Sequence, residues 1–306
     1  PMVKALEQSG AKTKNVTRII TAVTDALTQG FIEMGIESLG EPKANFAFIC
    51  MGSEGRGEQT LATDQDNAII FEDVDPGKEA EVREYFLKLG KLVNNWLDQS
   101  GYKLCEGEIM ALNEKWNQPL TKWKIFLSKW IMDASPQSVI DVSLFFDFRF
   151  ISGDEGLVNE LQNFAKSNIK KGSVLFYHLA KQALIFKTGS IGSGDIDLKK
   201  VIFPLTNFAR IYSLSNGLSE RNTFTRLNQL SAQNVIDSDF RDQIISAYDF
   251  LMMLRFKAQL KAIEQNQKPT NIINMSQLDD IEKSRLKRVL SIISDVQAKL
   301  KLDFKL

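Results

Sequence analysis

Residues 45–73 read NFAFICMGSEGRGEQTLATDQDNAIIFED, and this stretch decides the fold. An apolar run from Phe46 to Met51 stops at Gly52-Ser53, and a short polar segment follows. A second apolar run, Ala68 to Phe71, begins just after Asp64-Gln65-Asp66. The order predicted is strand, Gly-Ser turn, short helix, strand. Residues two apart in a strand share a face, so Asp64 and Asp66 project together while Gln65 and Asn67 point the other way.

Two carboxylates on one side of a strand start form a hard-oxygen site, which suits Mg²⁺ with waters and substrate phosphates in its remaining shell. The Gly-Ser turn complements it. A small-residue turn opening a helix presents backbone N–H groups and the positive helix end to phosphate. Metal beside phosphate implies a nucleoside triphosphate. The stretch is neither of the commoner phosphate loops, since it has no GxxxxGK[ST] and no GxGxxG.

Working outward, the 306 residues suffice for two domains. Lys plus Arg equals Asp plus Glu at 38 each. No global field draws the chain to nucleic acid, so a polymerase or tRNA-tailing role is not expected. Cys50, Cys105 and His178 are the only cysteines and histidine. That is too few ligands for a structural zinc site, and the histidine lies too far from the motif for a triad. Neither a signal peptide nor a membrane-length apolar run is present, so a cytoplasmic protein with reduced thiols and no membrane partner is expected.

Helical spacing of Val16, Ile19, Ile20, Val23, Leu27, Phe31 and Met34 predicts a helix over 14–39 that stops at Gly40-Glu41-Pro42. Val82, Phe86, Leu89, Val93 and Leu97 mark another, ending near Gly101. Lys103 to Leu112 reads as a strand. Trp123, Phe126, Leu127 and Trp130 fall at helical spacing, so the aromatic cluster reads as core rather than as a base-stacking platform. Val139 to Ile151, VIDVSLFFDFRFI, alternates with period two and is the most strand-like piece of the chain. Its polar face offers two further carboxylates, Asp141 and Asp147. They stand roughly 20 Å apart along a strand at about 3.3 Å per residue, so one metal cannot use both. Between Phe146 and Phe148, a buried Asp147 would need a cation partner, Mg²⁺ or Arg149. From Gly153 onward the pattern is helical nearly throughout. GSGDID at 192–197 leaves no room for a helix and return strand between its Gly-Ser and its acids, and reads as a loop with an N-cap.

GSxGRxE followed by TDxDN resembles the polymerase-β-type nucleotidyltransferases. The closest likeness is to a bacterial family of the domain-of-unknown-function type, related to the uridylyltransferase that modifies the PII signalling protein. CxGxxMAxNxxW, FFDFR and IDLKK…FARIYSL…TFTRL resemble further segments of that family, so the likeness runs from about Thr21 onward. The resemblance implies an α+β fold: a polymerase-β-type domain with a mixed sheet flanked by helices, then an all-α bundle that binds substrate. The corresponding division is a helical segment at 1–40, a catalytic domain at 41–152 and a helical domain at 153–306.

It further implies an NMP transferred from an NTP to a hydroxyl acceptor, with pyrophosphate released. Asp64, Asp66 and Asp147 would be catalytic and would ligate two Mg²⁺ ions, Mn²⁺ being an alternative. Gly52 and Ser53 would hold the β- and γ-phosphates, Arg56 would neutralise phosphate charge, and Glu58 would fix the turn. Arg210, Arg221 and Arg226 could face an acceptor cleft. The expected acceptor is a signalling protein. A small-molecule nucleotidyltransferase of the antibiotic-modifying type and a silent nucleotide sensor are the alternatives. Members of the family often carry upstream CBS or cyclic-nucleotide-binding domains, and with Met2 following Pro1 the chain reads either as a processed native start or, more attractively, as a piece cut from a longer one.

Overall fold

The structure, a computed structural model, describes residue 3 and residues 12–132, 143, 145–169, 174–187 and 194–306. Contacts divide the chain into two units. Arg18–Gln59 with Thr63–Ile169 carries a sheet, and Pro1–Thr17 with Thr60–Ala62 and Lys170–Leu306 is helical.

The two apolar runs of the motif become β1 (Phe46–Cys50) and β2 (Asn67–Phe71), each buried along its whole length. They pair antiparallel, from Phe46 opposite Phe71 to Cys50 opposite Asn67. β3 (Asn117–Pro119) lies parallel to β2, and β4 (Arg149–Gly153) lies antiparallel to β1, giving the order β3-β2-β1-β4. Strands buried on both faces need covering on both. One face meets α1 (Thr13–Leu39) and α3 (Glu79–Gln99), through a core that includes Ile32, Phe46, Phe48, Ile69, Phe71, Phe86, Leu89 and Ile151. α4 (Leu120–Met132) and α5 (Glu155–Asn168) pack on each other and against the strands. Trp116, Trp123 and Trp130 are buried with Phe145, and the Trp123 and Phe145 rings stack at 5.2 Å. The aromatic cluster is core. This is the mixed sheet flanked by helices that the resemblance implied.

Three expectations change. Residues 103–112 form no strand. Lys103 makes a single parallel bridge to Asp64, and turns follow, with Glu108 at a positive φ of 56°. The backbone N–H groups of Ala111 and Leu112 donate to the side-chain amides of Asn67 and Asn94 instead of to a neighbouring strand.

Nor is VIDVSLFFDFRFI one strand. Ser143 and Phe145 are helical, Phe146 and Asp147 turn, and β4 begins only at Arg149. Burying the Phe145 ring against Trp123, Trp130 and Phe148 outweighs the period-two preference. Asp141 lies outside the described residues.

The boundary placed at Gly153 also moves, because α5 belongs with the sheet. Its apolar stripe, Leu157, Val158, Leu161 and Ala165, is buried, and the helix packs on β1, β2 and β4.

In the helical unit, α6 (Val174–Ala183) precedes β5 (Asp195–Asp197) and α7 (Leu198–Ser215). Then come α8 (Thr223–Ala232), α9 (Ser238–Glu264), β6 (Ile272–Asn274) and α10 (Asp280–Asp303). α7 is buried nearly all round, as a helix must be when its neighbours surround it. Leu205, Phe208, Ala209 and Ile211 are fully buried, and α6, α8, α9 and α10 pack on it. Asp197 caps α7 by accepting from the Lys199 N–H at 3.0 Å, as read from GSGDID. Asp195–Asp197 is nevertheless a short strand paired with Ile272–Asn274, not a loop. Among the described residues, no helix is long and apolar enough to cross a membrane.

Candidate active site

β1 ends, and β2 and β4 begin, at one end of the sheet, where Cys50 stands between Asn67 and Arg149. The chain leaves β1 through Met51 in extended conformation and enters α2 (Gly52–Gly55), a single helical turn. Gly52 has φ +57°, a left-handed backbone open chiefly to glycine. It has a second reason to be glycine: a Cβ there would stand 2.4 Å from Asp66 Oδ2. The Asp66 carboxylate thus rests directly on the Gly-Ser turn. The Met51 N–H, donating to the Asp66 carbonyl at 2.8 Å, fixes the approach.

Ser53 Oγ lies 3.3 Å from Thr63 Oγ1, and the Glu58 N–H donates to the Ser53 carbonyl at 2.8 Å. The polar segment is thereby folded back so that Asp64 re-enters beside the turn. Glu58 is buried there, its carboxylate on Arg56.

The alternation expected at 64–67 is present in the contacts of Gln65 and Asn67. Gln65 Nε2 donates to the carbonyls of Asn94 and Tyr102, at 3.0 and 2.7 Å. Asn94, fully buried on α3, donates through Nδ2 to Gln65 Oε1 and Asn67 Oδ1. These amides tie the start of β2 to α3, while the Asp66 carboxylate rests on Gly52. Composition gave no sign of this network, although a polar residue in the buried stripe of α3 was a local signal for Asn94.

Asp147 lies 91 residues from Arg56 in sequence, and its Oδ2 accepts from Arg56 Nη1 at 2.7 Å. Arg56 Nε donates to Glu58 Oε2 at 2.7 Å, so one guanidinium joins two buried carboxylates. The Asp147 main chain is equally tight, since a Cβ on Gly55 would be 2.0 Å from its carbonyl oxygen. α2 is therefore braced at both ends, with Asp66 at Gly52 and Asp147 at Gly55, a helical rise of about 4.5 Å apart. The cation beside Asp147 is Arg56. Arg149 instead donates to Asp25 Oδ1 at 2.8 Å and to the Glu54 carbonyl at 3.3 Å.

Half-buried Asp25 and buried Cys50 and Glu54 form a cluster beside Arg149 that sequence reading missed, because its members lie far apart along the chain. Burial, and then the charge of Asp25, push the Glu54 carboxyl up to about 8; Asp66 adds to the shift and Arg149 opposes it. Cys105 lies beside Asp66. Its thiol is pushed up to about 11, first by burial and then by the Asp66 charge.

In the helical unit, Arg210 and Arg226 are buried rather than open to a cleft. Arg210 donates to Asn207 Oδ1, and Arg226 Nε donates to the Glu220 carbonyl at 2.7 Å. Arg221 is half-buried. The same unit includes Thr60–Ala62. Thr60 Oγ1 accepts from Arg255 and Gln259, and the Leu61 N–H donates to Gln259 Oε1 at 3.0 Å.

Residues 1–137 match a family model described as Putative nucleotidyltransferase DUF294, and residues 174–304 match one described as Putative nucleotidyltransferase substrate binding domain. No curated protein matches the chain.

Proposed function

The chain belongs to the nucleotidyltransferase family of that description and carries both of its domains, and on this premise we propose that it transfers an NMP from an NTP to a hydroxyl on a signalling protein. The observation that carries the reading is the seat of the Asp66 carboxylate on the positive-φ Gly52 turn, with Asp64 two residues before it in the chain. The donor set fits a hard divalent ion, since both groups are carboxylates and a helix start stands beside them for phosphate. Asp64 and Asp66 would hold Mg²⁺, or Mn²⁺ in its place. Bound there, the metal supplies charge neutralisation and a lowered pKa for the attacking hydroxyl.

The chain's own groups do the rest. The backbone N–H groups at Gly52 and Ser53 hold the β- and γ-phosphates, and the Ser53 hydroxyl, placed by Thr63, orients them. The acceptor oxygen forms a bond to the α-phosphorus, the bond to the β-phosphate oxygen breaks, and pyrophosphate leaves with the electron pair. The hydroxyl proton passes to water. With no histidine in the motif, activation falls to electrostatics and positioning. The likeness to the PII-modifying enzyme supports a protein acceptor.

The test compares NTPs labelled at the α- and γ-phosphates, each of the four in turn, with a PII-type protein as acceptor. The α-label is expected on the protein and the γ-label in released pyrophosphate. Protein carrying the γ-label would mean phosphoryl transfer and overturn the reading. Transfer of α-label to an aminoglycoside but not to protein would move the acceptor class to small molecules.

A further inference from the structure

We infer that Asp147 is a positioning residue rather than a third metal ligand: with Glu58 it clamps Arg56 as a fixed cation at the phosphate turn. The inference rests on the nucleotidyl-transfer reading above. Three observations carry it. Asp147 has no exposed side-chain surface, and Arg56 already takes its Oδ2 at 2.7 Å. The second carboxylate of the clamp, Glu58, is 2% exposed and sits 2.7 Å from Nε, so the planar fork is held at two of its nitrogens. Finally, the Asp147 carbonyl abuts Gly55 so closely that a methyl there would overlap it, leaving the backbone no room to bring the carboxylate forward.

Charge points the same way. A divalent ion on Asp147 would share one buried carboxylate with a guanidinium, placing two cations side by side without water between them. Asp66 rests on Gly52, at the opposite end of α2. Arg56 closes that same single turn, its N–H donating to the Gly52 carbonyl at 3.2 Å. The paired guanidinium fixes the end of the turn that presents the phosphate-binding N–H groups, without a cost of reorganisation during reaction. Two carboxylates in fork geometry are what a planar donor requires and a lysine could not use.

The experiment is an Mn²⁺ titration followed by electron paramagnetic resonance, with a non-hydrolysable α,β-methylene NTP. It is run on the wild type and on the Asp147→Asn, Arg56→Gln, Asp147→Asn/Arg56→Gln and Asp66→Asn variants. Asp147→Asn and Arg56→Gln are each expected to keep the wild-type number of bound Mn²⁺ ions and to weaken the analogue about tenfold. The double variant is expected to be no weaker than either single one, because both break the same Asp147–Arg56 pair. Asp66→Asn is expected to lose the ion. The inference is overturned if Asp147→Asn loses one Mn²⁺, or if Arg56→Gln gains one by releasing Asp147 to the metal. Should Asp147→Asn fail to fold, the Arg56→Gln arm decides alone. If the wild type binds neither Mn²⁺ nor analogue, the parent reading fails and this inference with it, a result distinct from any difference among the variants.

Discussion

Asp66→Asn is expected to lower NMP transfer by at least about a thousandfold while leaving the melting temperature within a few degrees of wild type. The substitution preserves shape, so the carboxamide still fits against Gly52. What it removes is half of the negative charge proposed to hold the metal, and metal-dependent charge stabilisation is the largest contribution this site has to offer. Stability should move slightly upward, because the Asp66 charge is one of those that disfavour ionised Glu54 and raise the Cys105 thiol. The measurement is initial rate at saturating acceptor, paired with a melting curve. Activity retained within tenfold would remove Asp66 from the metal site.

The second large effect is on stability and follows from Glu54. Burial in the folded chain pushes its carboxyl up to about 8, from an ordinary value of 4.5. The folded state therefore binds this proton more tightly than the unfolded state. Stabilisation from it is complete below about pH 4.5 and is lost as pH rises through 8. The loss is on the order of 3–5 kcal/mol. Glu54→Gln keeps the shape and can still accept from Gln59 Nε2, now at 3.3 Å from Glu54 Oε2, but carries no titrating proton. Urea unfolding at pH 5.5 and 8.5 is expected to show the wild type losing stability across this interval and the variant losing much less. Parallel profiles would mean that Glu54 is ionised at neutral pH and paired with Arg149.

Much of the candidate site was legible because it is local. Gly52, Ser53, Asp64 and Asp66 lie within 15 residues, and each residue type was demanded by its own chemistry: a positive φ, a helix start, a hard-oxygen pair. The strands β1 and β2 were legible for the same reason. What escaped is non-local. Arg56 and Asp147 meet across 91 positions, and periodicity says nothing about which arginine reaches which carboxylate; the neighbouring Arg149 was the wrong guess because β4 turns it toward Asp25. Residues 103–112 have strand-like composition, but Asn67 and Asn94 supply the hydrogen bonds a neighbouring strand would have supplied. Residues 143–148 have the alternation of a strand, and the aromatic core claims Phe145 and Phe148 for itself. In both places tertiary partners outbid local preference.

A metal-dependent nucleotide site at Gly52, Ser53, Asp64 and Asp66 can be sought by melting the protein with ATP, GTP, CTP or UTP, each with and without Mg²⁺. The comparison is the Asp64→Asn/Asp66→Asn double variant. A nucleotide at about 100 times its dissociation constant stabilises by about 2.7 kcal/mol, a shift of a few degrees at this size. That shift is expected for at least one nucleotide, only with Mg²⁺, and is expected to be lost in the double variant. An equal shift in the double variant, or none in the wild type with any of the four, would contradict such a site.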